Sequence, residues 1–143
     1  MQQIKEIFPL LKDPKKVVIT THQKPDGDAM GSSLGLYHFL NQFGHHVTVI
    51  SPTNWADFLD WMPGTKQVLD YERQTGEANK AIDAADWIFC LDFNTLSRTR
   101  RMEDKLGNAA ASRILIDHHQ EPHQRPFGNR QAEEFPLHVG TAA

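Results

Sequence analysis

The sequence predicts an α/β fold of three layers, with a mostly parallel sheet and helices on both of its faces. Two observations lead there. Four short runs are apolar throughout instead of alternating with polar residues, the pattern of strands covered on both sides. Stretches of helical spacing separate these runs, and strands alternating with helices build crossover units on a parallel sheet.

The first run, residues 17–20, follows a turn signal at Asp13-Pro14. Residues 29–43 then carry Met30, Leu34, Tyr37 and Leu40 at helical spacing and stop at Gly44. A second strand at 47–50 ends in Ser51-Pro52. Residues 54–61 read as a short helix capped by Asn54 and broken by Met62-Pro63-Gly64. Val68-Leu69 opens a minor strand. Residues 76–85 form the next helix and lead into a strand at 87–91, and a polar helix over 94–106 precedes the strand at 113–116. From Gln120 onward neither periodicity survives, and Phe127, Phe135, Leu137 and Val139 are the only large apolar residues. The expected organisation is a partial domain over 1–122, incomplete at its C-terminus, with an irregular tail over 123–143 that is disordered or out of frame.

Composition narrows the class. The 143 residues carry 15 Lys+Arg against 18 Asp+Glu, a formal charge of -3, and 39% are hydrophobic, as in an ordinary globular domain. That balance argues against gripping long nucleic acid by bulk charge. The single cysteine, Cys90, excludes a disulfide framework and any multi-cysteine zinc site. No apolar run approaches the ~18 residues of a membrane span. Glu6 and Pro9 interrupt the stretch where a signal peptide is apolar, so a cytoplasmic protein without membrane contact is expected.

Three polar clusters directly follow apolar runs. The first is Thr21 to Ser32, containing His22, Asp26, Asp28, Gly31 and Ser32; the second is Asp92; the third is Asp117-His118-His119. In a parallel sheet these lie on one edge, the carboxyl-terminal edge where open α/β sheets bind ligands. Carboxylates crowded there resist joint ionisation, and divalent cations remove the conflict. Imidazoles beside carboxylates suit Mn²⁺, Fe²⁺, Co²⁺ or Zn²⁺ better than Ca²⁺. Two such ions activate water and clamp the attacking and leaving oxygens of a phosphate ester. The first backbone N–H groups of the helix at Gly31 and Ser32 suit a phosphate oxygen. Taken singly, each cluster also has a structural reading: Asp28 as a helix N-cap, Asp92 as a cap of the helix at Asn94, and Asp117-His118-His119 as a solvated strand end. Coincidence at three successive strand ends favours the metal reading.

The constellation resembles the DHH phosphoesterase superfamily. The matching residues are His22, Pro25, Asp26, Asp28, Gly31 and Ser32 for the first motif, Asp92 for the second, and Asp117-His118-His119 for the third, over roughly residues 15–122. The resemblance implies that His22, Asp26 and Asp92 hold one metal, usually Mn²⁺, and that Asp28, Asp92 and His118 hold a second, with Mg²⁺, Co²⁺ or Zn²⁺ as alternatives. Asp92 would bridge them, Asp117 would orient the histidine pair and His119 would contact substrate phosphate. Arg98 is similar to the arginine that often follows the second motif. The run Asp26 to Ser32 looks like the branch of nanoRNases and 3′-phosphoadenosine-5′-phosphate phosphatases.

The chain departs from that pattern after residue 119. Only Glu121, Glu133 and Glu134 follow, none after a strand-like run, where the family supplies a further aspartate. The family's C-terminal glycine-rich domain has no counterpart, so a fragment or a changed reading frame after Pro122 is expected. The implied function is two-metal hydrolysis of short oligoribonucleotides or 3′-phosphoadenosine-5′-phosphate, with a homodimer left open. The alternatives are an inactive remnant that binds metal or phosphate, and a relative of inorganic pyrophosphatases or cyclic-dinucleotide phosphodiesterases.

Other residues receive bland expectations. His45-His46 sits at a strand start, on the far edge, and is expected at the surface; His38 is expected to be partly buried in its helix. Cys90 is expected to be a buried apolar residue. Arg98, Arg100, Arg101 and Lys105 either meet phosphates or form a solvated helix face interrupted by Glu103 and Asp104. Trp55, Phe58 and Trp61 at i, i+3 and i+6 are expected to pack in the core rather than stack on bases.

Overall fold

The computed structural model describes residues 8–117 and 137–140. The strands are β1 (Lys16–Thr20), β2 (His46–Ser51), β3 (Leu69–Asp70), β4 (Trp87–Leu91), β5 (Ser112–Asp117) and β6 (Leu137–Gly140). They pair in parallel throughout, in the order β3-β2-β1-β4-β5-β6. The helices are α1 (Gly27–Asn41), α2 (Thr75–Ala84) and α3 (Glu103–Gly107). This is the α/β architecture that the uninterrupted apolar runs predict.

Alternation along each strand divides the core in two. Val17, Ile19, Val49, Phe89 and Ile114 turn to the face that α1 covers with Met30, Leu34 and Leu40. Val18, Ile50, Ile88, Cys90 and Leu115 turn to the other face, against Ala78 and Ile82 of α2 and Leu106 of α3. Each of these strands therefore buries side chains on both faces, which explains why its sequence is apolar throughout.

The path of the chain then creates the crevice. From β1 it crosses over α1 to β2 on one side, and from β3 it crosses over α2 to β4 on the other side of β1. Strand order reverses between β1 and β4, and such a switch point opens a crevice at the carboxyl ends of the two strands.

Three segments differ from expectation. Residues 54–61 hold only a single 3-10 turn, Asp57–Leu59, with no side-chain cap. The i+3 bonds Leu59 N–H to Ala56 O and Asp60 N–H to Asp57 O replace helical ones, and Trp55 Nε1 donates to Asp60 Oδ1 at 2.9 Å. Without a helix the aromatic spacing loses its meaning: Phe58 and Trp61 stand 73% and 75% exposed, while Trp55 packs partly buried against the core. The helix expected over 94–106 is a 3-10 segment, Leu96–Met102, followed by the short α3, with a break at Arg100 (φ 53°, ψ -116°). The Arg98 carbonyl, which a continuous α-helix would pair with residue 102, accepts instead from Gln23 N–H. Finally, β6 lies within the stretch read as irregular. Its four residues pair with β5 at Ile114↔Leu137 through Asp117↔Gly140, so pairing to a strand already in place supplies what periodicity in so short a run does not.

Two histidines exchange places. His45 is buried and its Nδ1 accepts from Lys15 N–H at 3.0 Å, whereas His38 is exposed with Nε2 2.8 Å from Pro63 O. His46 is exposed at the start of β2, as expected.

Candidate metal centre

The centre grows from the loops that leave β1 and β4. After β1 the chain passes Thr21 and His22, bends at Gln23 and Lys24 (φ 46° at Lys24) and enters α1. Asp26, not Asp28, is the N-cap: its Oδ1 accepts from Ala29 N–H at 2.9 Å. Asp28 stands in the first turn, where the helix dipole favours a carboxylate. After β4, Asp92 adopts a left-handed backbone (φ 64°), and its N–H donates to Ile116 O at 2.9 Å. That bond extends the pairing with β5, and the residue at the N-cap of the following segment, Leu96–Met102, is Thr95.

These two loops bring His22, Asp26 and Asp92 together. One ligand atom from each lies within 4.8 Å of the others. His22 Nε2 is 3.6 Å from Asp92 Oδ2 and 3.9 Å from Asp26 Oδ1. The His22 and Asp92 side chains are nearly buried, while that of Asp26 is 64% exposed and open to an incoming ion. His22 Nδ1 lies 2.7 Å from the Gln23 carbonyl, which only accepts, so the neutral ring carries its proton on Nδ1 and offers the Nε2 lone pair toward the carboxylates. One imidazole and two carboxylates in this arrangement fit a divalent transition metal.

Beside this triad lies a cavity of about 550 Å³ lined by Gly27, Asp28, Gly31, Ser32, Leu91, Asp92, Ile116 and Asp117. Asp28, Gly31, Ser32, Asp92 and Asp117 are thus gathered at one site. α1 opens at Gly27 and not at Gly31 and Ser32 as expected, so the N–H groups of these two lie within the helical ladder. Added β-carbons at Gly27 or Gly31 would meet nothing within 4 Å, which leaves the space beside the first turns open. Arg98 is half-buried, and its carbonyl accepts from the N–H of Gln23 in the loop next to His22; among the described residues, its side chain forms no bond with the triad. His118 and His119 lie outside the described residues. Lys105 is committed elsewhere, with Nζ 2.6 Å from Asp83 Oδ1. The sequence reading overlooked Gln23, whose loop position carries no signal of its bonds to a segment much later in the chain.

Cys90, on β4 just before Asp92, is fully buried, and burial pushes its thiol up to about 12, with Arg113 pulling slightly the other way. It is a packed apolar residue, as expected, and no nucleophile at neutral pH.

Comparison with known proteins agrees with this geometry. Residues 16–133 match the DHH family, N-terminal domain. Over 88 residues the chain is 40% identical to the bifunctional oligoribonuclease and PAP phosphatase NrnA of Thermus thermophilus, covering 60% of this chain and 26% of that relative's length. An exopolyphosphatase-related protein from Bacteroides fragilis superposes with a TM-score of 0.84 at 38% identity, over 98% of this chain and 40% of its own. RecJ of Thermus thermophilus, solved in complex with Mn²⁺, shares the fold alone, with a TM-score of 0.52 and 18% identity over 95% of this chain and 16% of that one. The chain therefore spans about a quarter of the curated relative it matches. With a match running through most of its length and His22, Asp26 and Asp92 meeting at the switch point of its sheet, the chain belongs to the DHH family, matching its N-terminal domain.

Proposed function

We propose that this chain is the metal-binding part of an Mn²⁺-dependent phosphoesterase that hydrolyses short oligoribonucleotides or 3′-phosphoadenosine-5′-phosphate. The observation that carries the proposal is the convergence of His22, Asp26 and Asp92 beside an open cavity at the head of α1. The likeness to a relative named for oligoribonuclease and PAP phosphatase activity supports the substrate class.

In this reading His22, Asp26 and Asp92 hold one cation, and Asp28 and Asp92, with His118, hold a second. When bound, the ions supply activated water and charge neutralisation at the scissile phosphate. The chain's own groups do the rest. The free N–H groups of the first turn of α1, at Gly27 and Asp28, receive a phosphate oxygen at the positive end of the helix dipole, while Gly31 and Ser32, one turn further on, line the space beside it. Asp117 orients the adjoining histidines, His119 meets phosphate, and Arg98 balances its charge. Leu91 and Ile116 supply an apolar wall that limits water at the reacting group.

The test is to incubate the purified chain with Mn²⁺ and, separately, a fluorescent dinucleotide, 3′-phosphoadenosine-5′-phosphate and pyrophosphate. Nucleotide turnover that disappears in Asp92→Ala supports the proposal. Phosphate release from pyrophosphate alone would instead assign a pyrophosphatase, and Mn²⁺ uptake without turnover of any substrate a binding remnant.

A further inference from the structure

Among the described residues, three non-glycine residues have left-handed backbone, Lys24 (φ 46°), Asp92 (φ 64°) and Arg100 (φ 53°). Such conformations are unfavourable for residues with a β-carbon and persist where surrounding contacts enforce them. Asp92 belongs to the metal triad and Lys24 follows His22 by two positions. Arg100 is different: its side chain is exposed, so core packing does not account for its backbone.

Its side chain and the main chain two residues before it bond back to the loop that carries His22. Arg100 Nε donates to Gln23 Oε1. Gln23 N–H donates to the Arg98 carbonyl at 2.7 Å, and the Gln23 carbonyl accepts from His22 Nδ1 at 2.7 Å. The residue that fixes the His22 ring is therefore held at its main chain and at its side chain by one segment, 98–100. A partner of this kind, one step removed from the ion, sets the tautomer and direction of a ligating imidazole.

We propose that Gln23 and Arg100 are positioning residues for the metal centre, clamping the β1–α1 loop so that His22 Nε2 faces Asp26 and Asp92. The role rests on the metal-dependent function proposed above. Neither residue touches the ion; both act through the His22 ring.

The experiment titrates Mn²⁺ into the full chain by calorimetry, for the wild type, Gln23→Ala, Gln23→Glu, Arg100→Ala and the double alanine variant, with thermal unfolding of each metal-free protein alongside. Gln23→Ala and Arg100→Ala are expected to bind Mn²⁺ roughly tenfold more weakly. Gln23→Glu keeps an oxygen acceptor for Arg100 Nε–H and is expected to stay close to the wild type. The double variant should bind no more weakly than Gln23→Ala alone, since the two residues form one link. Metal-free unfolding midpoints should change little. Unchanged Mn²⁺ affinity in both alanine variants, equal losses in Gln23→Glu and Gln23→Ala, or a fall in midpoint without a fall in affinity would each overturn the clamp while leaving the metal centre intact. A wild type that takes up no Mn²⁺ would overturn the metal centre and the clamp together.

Discussion

Asp92 carries three demands at once: a left-handed backbone, a main-chain bond to Ile116, and a carboxylate 3.6 Å from His22. Asparagine tolerates that backbone and keeps the side-chain size, so Asp92→Asn is expected to fold like the wild type yet lose tight Mn²⁺ binding, read by calorimetry beside circular dichroism. Cys90 makes the opposite prediction. Its thiol is raised in the folded chain to about 12 from an ordinary value of 9.0. Between those limits the folded state holds a proton that the unfolded state releases, so this contribution to stability is intact below pH 9 and is lost as pH rises toward 12. Cys90→Ala is expected to flatten the alkaline fall in unfolding free energy, and native protein at about pH 8 should resist thiol reagents until denatured. At this scale the three residues that meet in the structure were legible as candidates, since His22 and Asp92 closely follow apolar runs and Asp26 stands in the loop between the first run and the next helix. The exchange between His38 and His45 was not. Whether an imidazole next to a strand or on a helix is buried depends on what packs over it, here the Lys15 main chain for His45.

Among the elements, α1 does two jobs at its first turn. Asp26 caps it and also belongs to the triad. Asp26→Ala is expected to cost about 1 kcal/mol of stability through the lost cap. Asp26→Ser restores a capping oxygen without a carboxylate, so unfolding should return near the wild type while Mn²⁺ uptake stays weak. Denaturant titration with parallel calorimetry separates the two jobs. Gly64 tests how the loop after β2 seats on α1. Its φ is 93°, and an added β-carbon would lie 3.2 Å from His38 Nε2 and 3.3 Å from Leu34 Cδ2. Gly64→Ala is therefore expected to lose about 1–3 kcal/mol in denaturant unfolding. The periodic stretches that became α1 and α2 were readable to within two residues, because their apolar faces repeat for several turns. The stretch at 94–106 was not, because Gln23 takes the Arg98 carbonyl out of any regular helix.

For the molecule as a whole, the centre exists only in the folded state, so a bound cation stabilises by mass action. Mn²⁺ at about a hundred times its dissociation constant is expected to add about 2.7 kcal/mol, seen as a rise of several degrees in the unfolding midpoint. Asp92→Asn should abolish that rise. A rise of equal size in Asp92→Asn would show that the ion binds elsewhere.

The residues alone determined that this chain builds a parallel, two-faced sheet and that its polar clusters end strands, because burial on both sides requires runs that are apolar throughout and binding groups stand where those runs stop. Which strands become neighbours was decided only in three dimensions. By placing β1 between β2 and β4, the sheet sets His22 beside Asp92, and by docking segment 98–100 onto Gln23 it turns the ring toward the carboxylates. Both depend on hydrogen bonds between distant parts of the chain, and such bonds leave no periodic trace in the local sequence.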